Sequence, residues 1–299
     1  MKNLVSLNDL SKNEISGIIS LGFKVKKNPD DFSGSLKQKT LAMLFQKTST
    51  RTRISFEAGM TQLGGHAIFL DCKNVQFALG AGIKDEIKCI SRYCDLIMAR
   101  VYKNEDIEAM ASASDVPVIN GLSDKWHPCQ ALADFMAMKE KVKSFGKIKL
   151  AYVGDGNNVC NSLIQAAAKL GVRISVATPE GYGPFKLAVE EGTKAKVLEL
   201  TNSPYEAVKG ANFVYTDSWV SMGQEAEKEK RIGIFAPFQV NKKLMEESQD
   251  AFFMHCLPVH RGLEATDEVV DSGKSIIYDQ AENRVHIQKA VILKLLGEA

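Results

Sequence analysis

Paired cysteines are missing from this 299-residue sequence. Its six cysteines, at 72, 89, 94, 129, 160 and 256, form no Cys-x-x-Cys pair and no Cys/His cluster with zinc spacing. That argues against a disulfide framework and a structural metal, and it suits reduced thiols in the cytoplasm. No apolar run reaches the ~18–20 residues needed to cross a bilayer. The opening Met1-Lys2-Asn3-Leu4 starts no secretory h-region. No membrane association is expected. An excess of one charge is missing as well, since 38 Lys and Arg face 36 Asp and Glu for a net charge of +2. A nucleic-acid binder usually carries a strongly basic domain or face, so no nucleic-acid partner is expected. A local basic pocket for a small anion stays open. Low-complexity tracts, internal repeats and flexible Pro/Ser linkers are also absent.

What is present is ordinary material for burial, 45% apolar and 25% charged. At roughly 100–200 residues per domain, the length suggests two domains. Ser11 with Glu14 makes a capping box ahead of Ile15, Ile18 and Ile19. Short apolar runs then alternate with helical patterns. Strands are expected at 40–45, 66–71, 95–101 and 116–120, with helices near 52–63, 83–93 and 104–113. A long helix over 128–145 follows, with Pro128 in its first turn and Gly146 as its cap. Ala131, Leu132, Phe135, Met136 and Val142 would line one face of it, and it could connect two domains. The alternation restarts with strands at 148–153, 173–178, 196–200, 211–216, 251–256 and 275–278. Helix 158–170 ends at Gly171, and the last helix covers 281–296. Such alternation implies right-handed crossovers and parallel sheets. The fold class expected is α/β, two doubly wound parallel-sheet domains joined by long helices.

Ligands of such sheets bind beyond the carboxyl ends of the strands, and the unusual polar residues cluster there. Ser49-Thr50-Arg51-Thr52-Arg53 brings three hydroxyls and two guanidiniums to a helix start, an arrangement suited to phosphate. It is not a P-loop, because the Gly-x4-Gly-Lys-Ser/Thr frame is absent. Arg100 follows an apolar strand and reads alone as a surface ion pair. His127-Pro128-Cys129-Gln130 reads either as a cap or as a carbonyl donor beside an amide. Gly154-Asp155-Gly156-Asn157-Asn158 suggests a dinucleotide loop, with Glu180 near where a ribose-binding acid would sit. Val159 replaces its third glycine, and the asparagines can hold a polar head group instead. Asp217-Ser218-Trp219-Val220-Ser221-Met222-Gly223 is either a plain loop or an anion paired with backbone N–H groups. Met254-His255-Cys256-Leu257-Pro258 tempts toward Cys/His catalysis, but neighbours on a strand face opposite ways.

Together these residues closely resemble the aspartate/ornithine carbamoyltransferase family along essentially the whole chain. Residues 49–53, 127–130 and Glu282-Asn283-Arg284 look like its carbamoyl-phosphate signature. Residues 217–223 and 255–258 look like its ornithine branch. The resemblance implies transfer of the carbamoyl group of carbamoyl phosphate to the side-chain amine of L-ornithine, giving citrulline for arginine biosynthesis. A sister transferase using putrescine is the alternative. It implies that Ser49, Thr50, Arg51 and Thr52 hold the phosphate, with Arg100 and Gln76. His127, Gln130, Arg284, Cys256 and Leu257 would reach the carbamoyl group. Asn158, Asp217, Ser221 and Met222 would hold ornithine, and Arg51, Arg100, His127 and Cys256 would be catalytic. No metal or organic cofactor is implied. A carbamoyl-phosphate domain would span 1–133, completed by helix 283–299, and an ornithine domain 134–282. Trimers or multiples of trimers are implied. Ala81 departs from the glutamate of many relatives, and the Lys/Glu-rich run 224–231 reads equally as a mobile flap or a solvated helix.

Overall fold

The structure is a computed structural model that describes residues 1–72, 82–142, 144–220, 225–248 and 250–298. Gln76, Ala81, Ser221, Met222 and Gly223 lie outside the described residues. The chain divides into two compact units, residues 1–136 with 282–299, and residues 137–281.

The first unit is built on four parallel strands, β1 Thr40–Phe45, β2 His66–Asp71, β3 Leu96–Arg100 and β4 Val118–Leu122. Their order is β2-β1-β3-β4. The chain steps outward from β1 to β2, then returns to the other side of β1. That reversal makes a switch point between β1 and β3, where a doubly wound sheet opens a crevice for ligand. Helices Thr50–Gln62, Ile83–Ile90 and Asn104–Ala113 make the crossovers. β3 is buried at all five positions, as expected for a central parallel strand that is covered on both faces. The first helix, Lys12–Lys27, begins with the expected capping box, Ser11 and Glu14 exchanging both bonds. Leu4 extends the sheet by bridging Ile119 of β4.

The second unit repeats the logic with five strands, β5 Lys149–Val153, β6 Arg173–Ala177, β7 Leu198–Thr201, β8 Phe213–Thr216 and β9 Phe252–His255. The order is β7-β6-β5-β8-β9, all parallel. Its switch point lies between β5 and β8. Helix Asn158–Leu170 follows β5, capped by the Asn157 side chain and ended by Gly171 in the left-handed region at φ 72°.

Three expectations fail. Residues 275–278 are not a strand; Ser275 makes one bridge to Phe253, and helix Ile277–Leu296 begins at once. Ile276 and Ile277 are buried, and a short buried apolar run looks the same as strand or helix. The long helix is Pro128–Lys141 and stops well short of Gly146. It has no single apolar face, since Cys129 through Met138 are all buried, while Val142 beyond it is half-buried. Finally, the last helix begins at Ile277, four residues before the expected 281, so Arg284 lies two turns inside it.

Candidate functional site

Two clusters form, one at each switch point. In the first unit, Ser49 caps helix Thr50–Gln62, its hydroxyl accepting from the Thr52 N–H at 3.3 Å. The helix N-terminus therefore faces the crevice beyond β1, with its dipole favouring an anion. Arg100 ends β3, and the register with β4 shifts between Ala99 and Arg100. Such an irregularity re-aims a side chain; here Arg100 is buried at 7% exposure and donates to Thr52 Oγ1 at 3.5 Å. Arg284 donates to the same hydroxyl at 3.0 Å and to Gln130 Oε1 at 3.2 Å. Gln130 Nε2 in turn donates to Asp134 at 2.8 Å. Thr52 is thus the acceptor on which two guanidiniums converge. His127 sits before Pro128 in the loop after β4, itself fixed by Ser123, whose N–H donates to the Trp126 carbonyl at 2.9 Å.

The electrostatics follow from these positions. His127 is buried and lies near Arg284, Arg100 and Arg51, so its pKa falls well below 6.5, burial being the larger cause. At neutral pH the imidazole is uncharged and can donate a single N–H. Burial pushes the Cys129 thiol up to about 12, so it stays protonated. Thr50 is exposed, and Ser49 and Arg51 are half-buried. Arg53 does not join the cluster; it pairs with Glu57 at 2.9 Å and lies over the Phe69 ring at 3.9 Å. Four residues along a helix place Glu57 on the same face, which holds Arg53 outside.

In the second unit, Asp217 follows β8 and is buried at 8% exposure. Its Oδ1 accepts from the Ser218 N–H at 2.8 Å and from the Cys256 thiol at 3.0 Å; its Oδ2 accepts from Asn157 Nδ2 at 2.7 Å. A carboxylate offers about four lone-pair positions, and these bonds fill three. Asn157, read from the sequence only as a possible ligand, instead anchors this carboxylate while capping its helix. Asn158 opens that helix and is half-buried. Gly156 serves close backbone approach: a Cβ there would lie 2.3 Å from the Gly183 carbonyl carbon. The glycines therefore shape a loop; they do not make a dinucleotide cradle.

The expected opposite facing of His255 and Cys256 fails. β9 ends at His255, so strand alternation does not govern Cys256. A His255 ring nitrogen, Cys256 Sγ and an Asp217 oxygen lie within 4.8 Å of one another, though with different hydrogen-bond partners. His255 is fully buried, its Nδ1 accepts from the Leu257 N–H at 2.9 Å, and its Nε2 lies 3.3 Å from Glu264. The accepted bond puts the imidazole proton on Nε2. Leu257 takes the left-handed φ of 60°. Asp217, His255 and Cys256 are the described residues whose donor atoms cluster closely enough to hold a metal ion. All three already have protein partners, so the trio reads as a hydrogen-bonded array.

The fold and these two clusters define a two-unit α/β protein with a cation-lined pocket in one unit and a buried carboxylate cluster in the other, and comparison with known proteins gives its family. A family model described as the aspartate/ornithine carbamoyltransferase carbamoyl-P binding domain matches residues 2–140, and one described as the Asp/Orn binding domain matches residues 146–295. The chain belongs to the aspartate/ornithine carbamoyltransferase family. It is 50% identical to an anabolic ornithine carbamoyltransferase of Pyrococcus furiosus, over 99% of this chain and 96% of that one. It is 49% identical to a catabolic ornithine carbamoyltransferase of Halobacterium salinarum, over the full length of both. A solved structure of ornithine carbamoyltransferase from Pyrococcus furiosus matches with a TM-score of 0.95 at 49% identity, over 99% of this chain and 97% of that one.

Proposed function

We infer that this chain transfers the carbamoyl group of carbamoyl phosphate to the side-chain amine of L-ornithine, giving L-citrulline and phosphate for arginine biosynthesis. The observation that carries the reading is end-to-end identity near one half with enzymes of that name. The two clusters supply chemistry of the right kind.

Ser49, Thr50, Arg51, Thr52 and Arg100 hold the phosphate, with Gln76. Arg284, Gln130 and His127 address the carbamoyl group, with the Cys256–Leu257 backbone. A neutral His127 donates its N–H to the carbamoyl oxygen without bringing a mobile proton, and the guanidiniums stabilise the charge that grows there. Preorganised donors of this kind are often the largest catalytic contribution. Asp217 keeps one lone-pair position for the α-ammonium of ornithine, with Asn158, Ser221 and Met222 completing the head-group contacts. The attacking amine has a free pKa near ~10.4 and must shed a proton; desolvation and nearby cations favour the neutral form. A C–N bond forms, the C–O bond to phosphate breaks, and the departing phosphate takes the amine proton.

Among the described residues no helix is long and apolar enough to cross a membrane. The six cysteines are free, which suits a cytoplasmic enzyme. The assembly is a homotrimer or a multiple of trimers. The test is product formation from carbamoyl phosphate with ornithine, putrescine, aspartate or N-acetylornithine as acceptor. Citrulline formation with strong preference for ornithine is expected. Turnover confined to another acceptor would overturn the substrate, and none with any would overturn the activity.

A further inference from the structure

Ser123, four residues before His127, is fully buried, and Asn104, four residues after Arg100, is buried at 1% exposure. Asn104 opens helix Asn104–Ala113 beyond β3, and Ser123 is the first residue after β4. The Ser123 hydroxyl donates to Asn104 Oδ1 at 2.9 Å. It accepts from the Trp126 N–H at 3.2 Å and from Asn120 Nδ2 at 3.3 Å. A serine hydroxyl has one proton and two lone pairs, so all three positions are in use. Asn104 is held as firmly. Its backbone N–H donates to Asp124 Oδ1 at 2.8 Å and its Nδ2 to Glu108 Oε1 at 2.7 Å. A surface pair, Lys125 with Glu105 at 2.6 Å, runs alongside. Surface pairs are worth little in water, so the buried bond is the one that joins the two loops.

The joined loops are those that carry Arg100 and His127. Ser123 and Trp126 close on each other from both sides, the Ser123 N–H reaching the Trp126 carbonyl at 2.9 Å and the Trp126 N–H returning to the hydroxyl. His127 comes next, and its carbonyl accepts from the N–H groups of Gln130 at 3.1 Å and Ala131 at 3.2 Å. Its backbone is therefore pinned by the Ser123 turn on one side and by a helix start on the other. Arg100 is secured by the sheet itself. Its carbonyl accepts from the Gln46 N–H at 2.9 Å, and the Val101 N–H donates to the Leu122 carbonyl at 2.9 Å. The Asn104–Ser123 bond thus takes its bearing from the β3 side and sets the side that lies outside any strand. A buried polar network with every member satisfied rigidifies one arrangement.

We propose that Ser123 and Asn104 are positioning residues for His127, fixing the direction from which its imidazole meets the carbamoyl oxygen; the proposal rests on the carbamoyl-transfer reading above. The phosphate end of the same substrate is addressed from a separate element, the Ser49 cap and first turn of helix Thr50–Gln62. The two ends can therefore be tested apart.

The experiment uses the full chain with Ser123→Ala, Ser123→Cys, Asn104→Ala, and Ser123→Ala combined with Asn104→Ala. It measures kcat for citrulline formation and inhibition by inorganic phosphate competing with carbamoyl phosphate. In each single variant kcat should fall roughly tenfold to a hundredfold, since moving a catalytic group by about 1 Å costs that much. The inhibition constant of inorganic phosphate should stay within about twofold, because that anion lacks the group His127 meets. The double variant should be no slower than the worse single one, since both changes act through one bond. If Ser123→Ala does not fold, Ser123→Cys decides by the same split, because a thiol of similar size is a weak donor and a weak acceptor. A kcat within about twofold of the parent, a parallel weakening of inorganic phosphate, or additive losses in the double variant would overturn the proposal. Wild-type protein making no citrulline from ornithine would instead overturn the reading beneath it, and this proposal with it.

Discussion

At the scale of single residues, the pocket of the first unit turns on uncharged groups among cations. His127 illustrates the consequence for pH. Its folded pKa lies below the ordinary 6.5, so the unfolded chain takes up a proton that the folded one refuses. Above roughly pH 6.5 both states are neutral there and the linkage is silent. As the pH falls below that value, stability is lost, and the loss continues until the lowered folded value is reached. His127→Gln should therefore flatten the fall of Tm between about pH 6.5 and 5 while reducing activity. Melting curves across that range check it, and parallel slopes in both proteins would contradict it. How much was legible also divides by residue. The Ser49–Arg53 hydroxyls and Arg51 announce an anion site by type and position alone. Arg100 does not, since alone it reads as a surface ion pair, and Arg284 was singled out only by the family resemblance; their convergence on Thr52 separates both from solvated arginines. Arg231 was hidden for a different reason. It follows Glu227 by four residues in a Lys/Glu-rich run, the spacing of an exposed helical ion pair, and Asp155, far upstream, takes it instead. Nothing local in the sequence carries that preference.

At the scale of elements, the ends of β1 and β2 were legible because their apolar runs are bounded by glycine or polar residues, whereas β4 runs past its expected end at 120, through buried Asn120 and Gly121, to Leu122. β1, β2 and helices 104–113 and 158–170 lie where the pattern puts them. The error at 275–278 came where no such contrast exists, because Ile276 and Ile277 are buried in either conformation. The loop after β5 shows how a misleading motif is resolved by packing. Gly156 is there for the 183–184 backbone, which passes within 2.4 Å of where a Cβ would be. Both neighbouring atoms are backbone, so neither can swing away. Gly156→Ala should cost about 3 kcal/mol or more in stability and displace Asn157, weakening ornithine use. Denaturant unfolding with ornithine saturation curves measures both. A variant as stable as the parent would mean that the 183–184 segment yields freely.

At the scale of the whole molecule, the first unit exposes Ile54 at 59%, Ile68 at 42% and Tyr93 at 77%. Single exposed apolar residues are ordinary on a protein surface, so the proposed trimer is tested by mass. Light scattering should give a mass of three times 32.9 kDa or a multiple of that. A monomer mass at micromolar concentration would refute the trimer. The domain division was visible in the restart of the strand–helix alternation near residue 148, and the return of the final helix to the first unit came from the family resemblance, since no periodicity encodes it.

That return bears on how the protein is made. The first unit comprises residues 1–136 and 282–299, so its pocket is assembled from the earliest and latest parts of the chain. Thr52, Arg100 and His127 leave the ribosome long before Arg284, the cation that joins Thr52 to Gln130. The second unit, continuous from 137 to 281, has all of its strands before that helix is complete. Synthesis therefore favours an order in which the second unit settles first, and the anion pocket is closed only when the last helix, which carries Arg284, has been made.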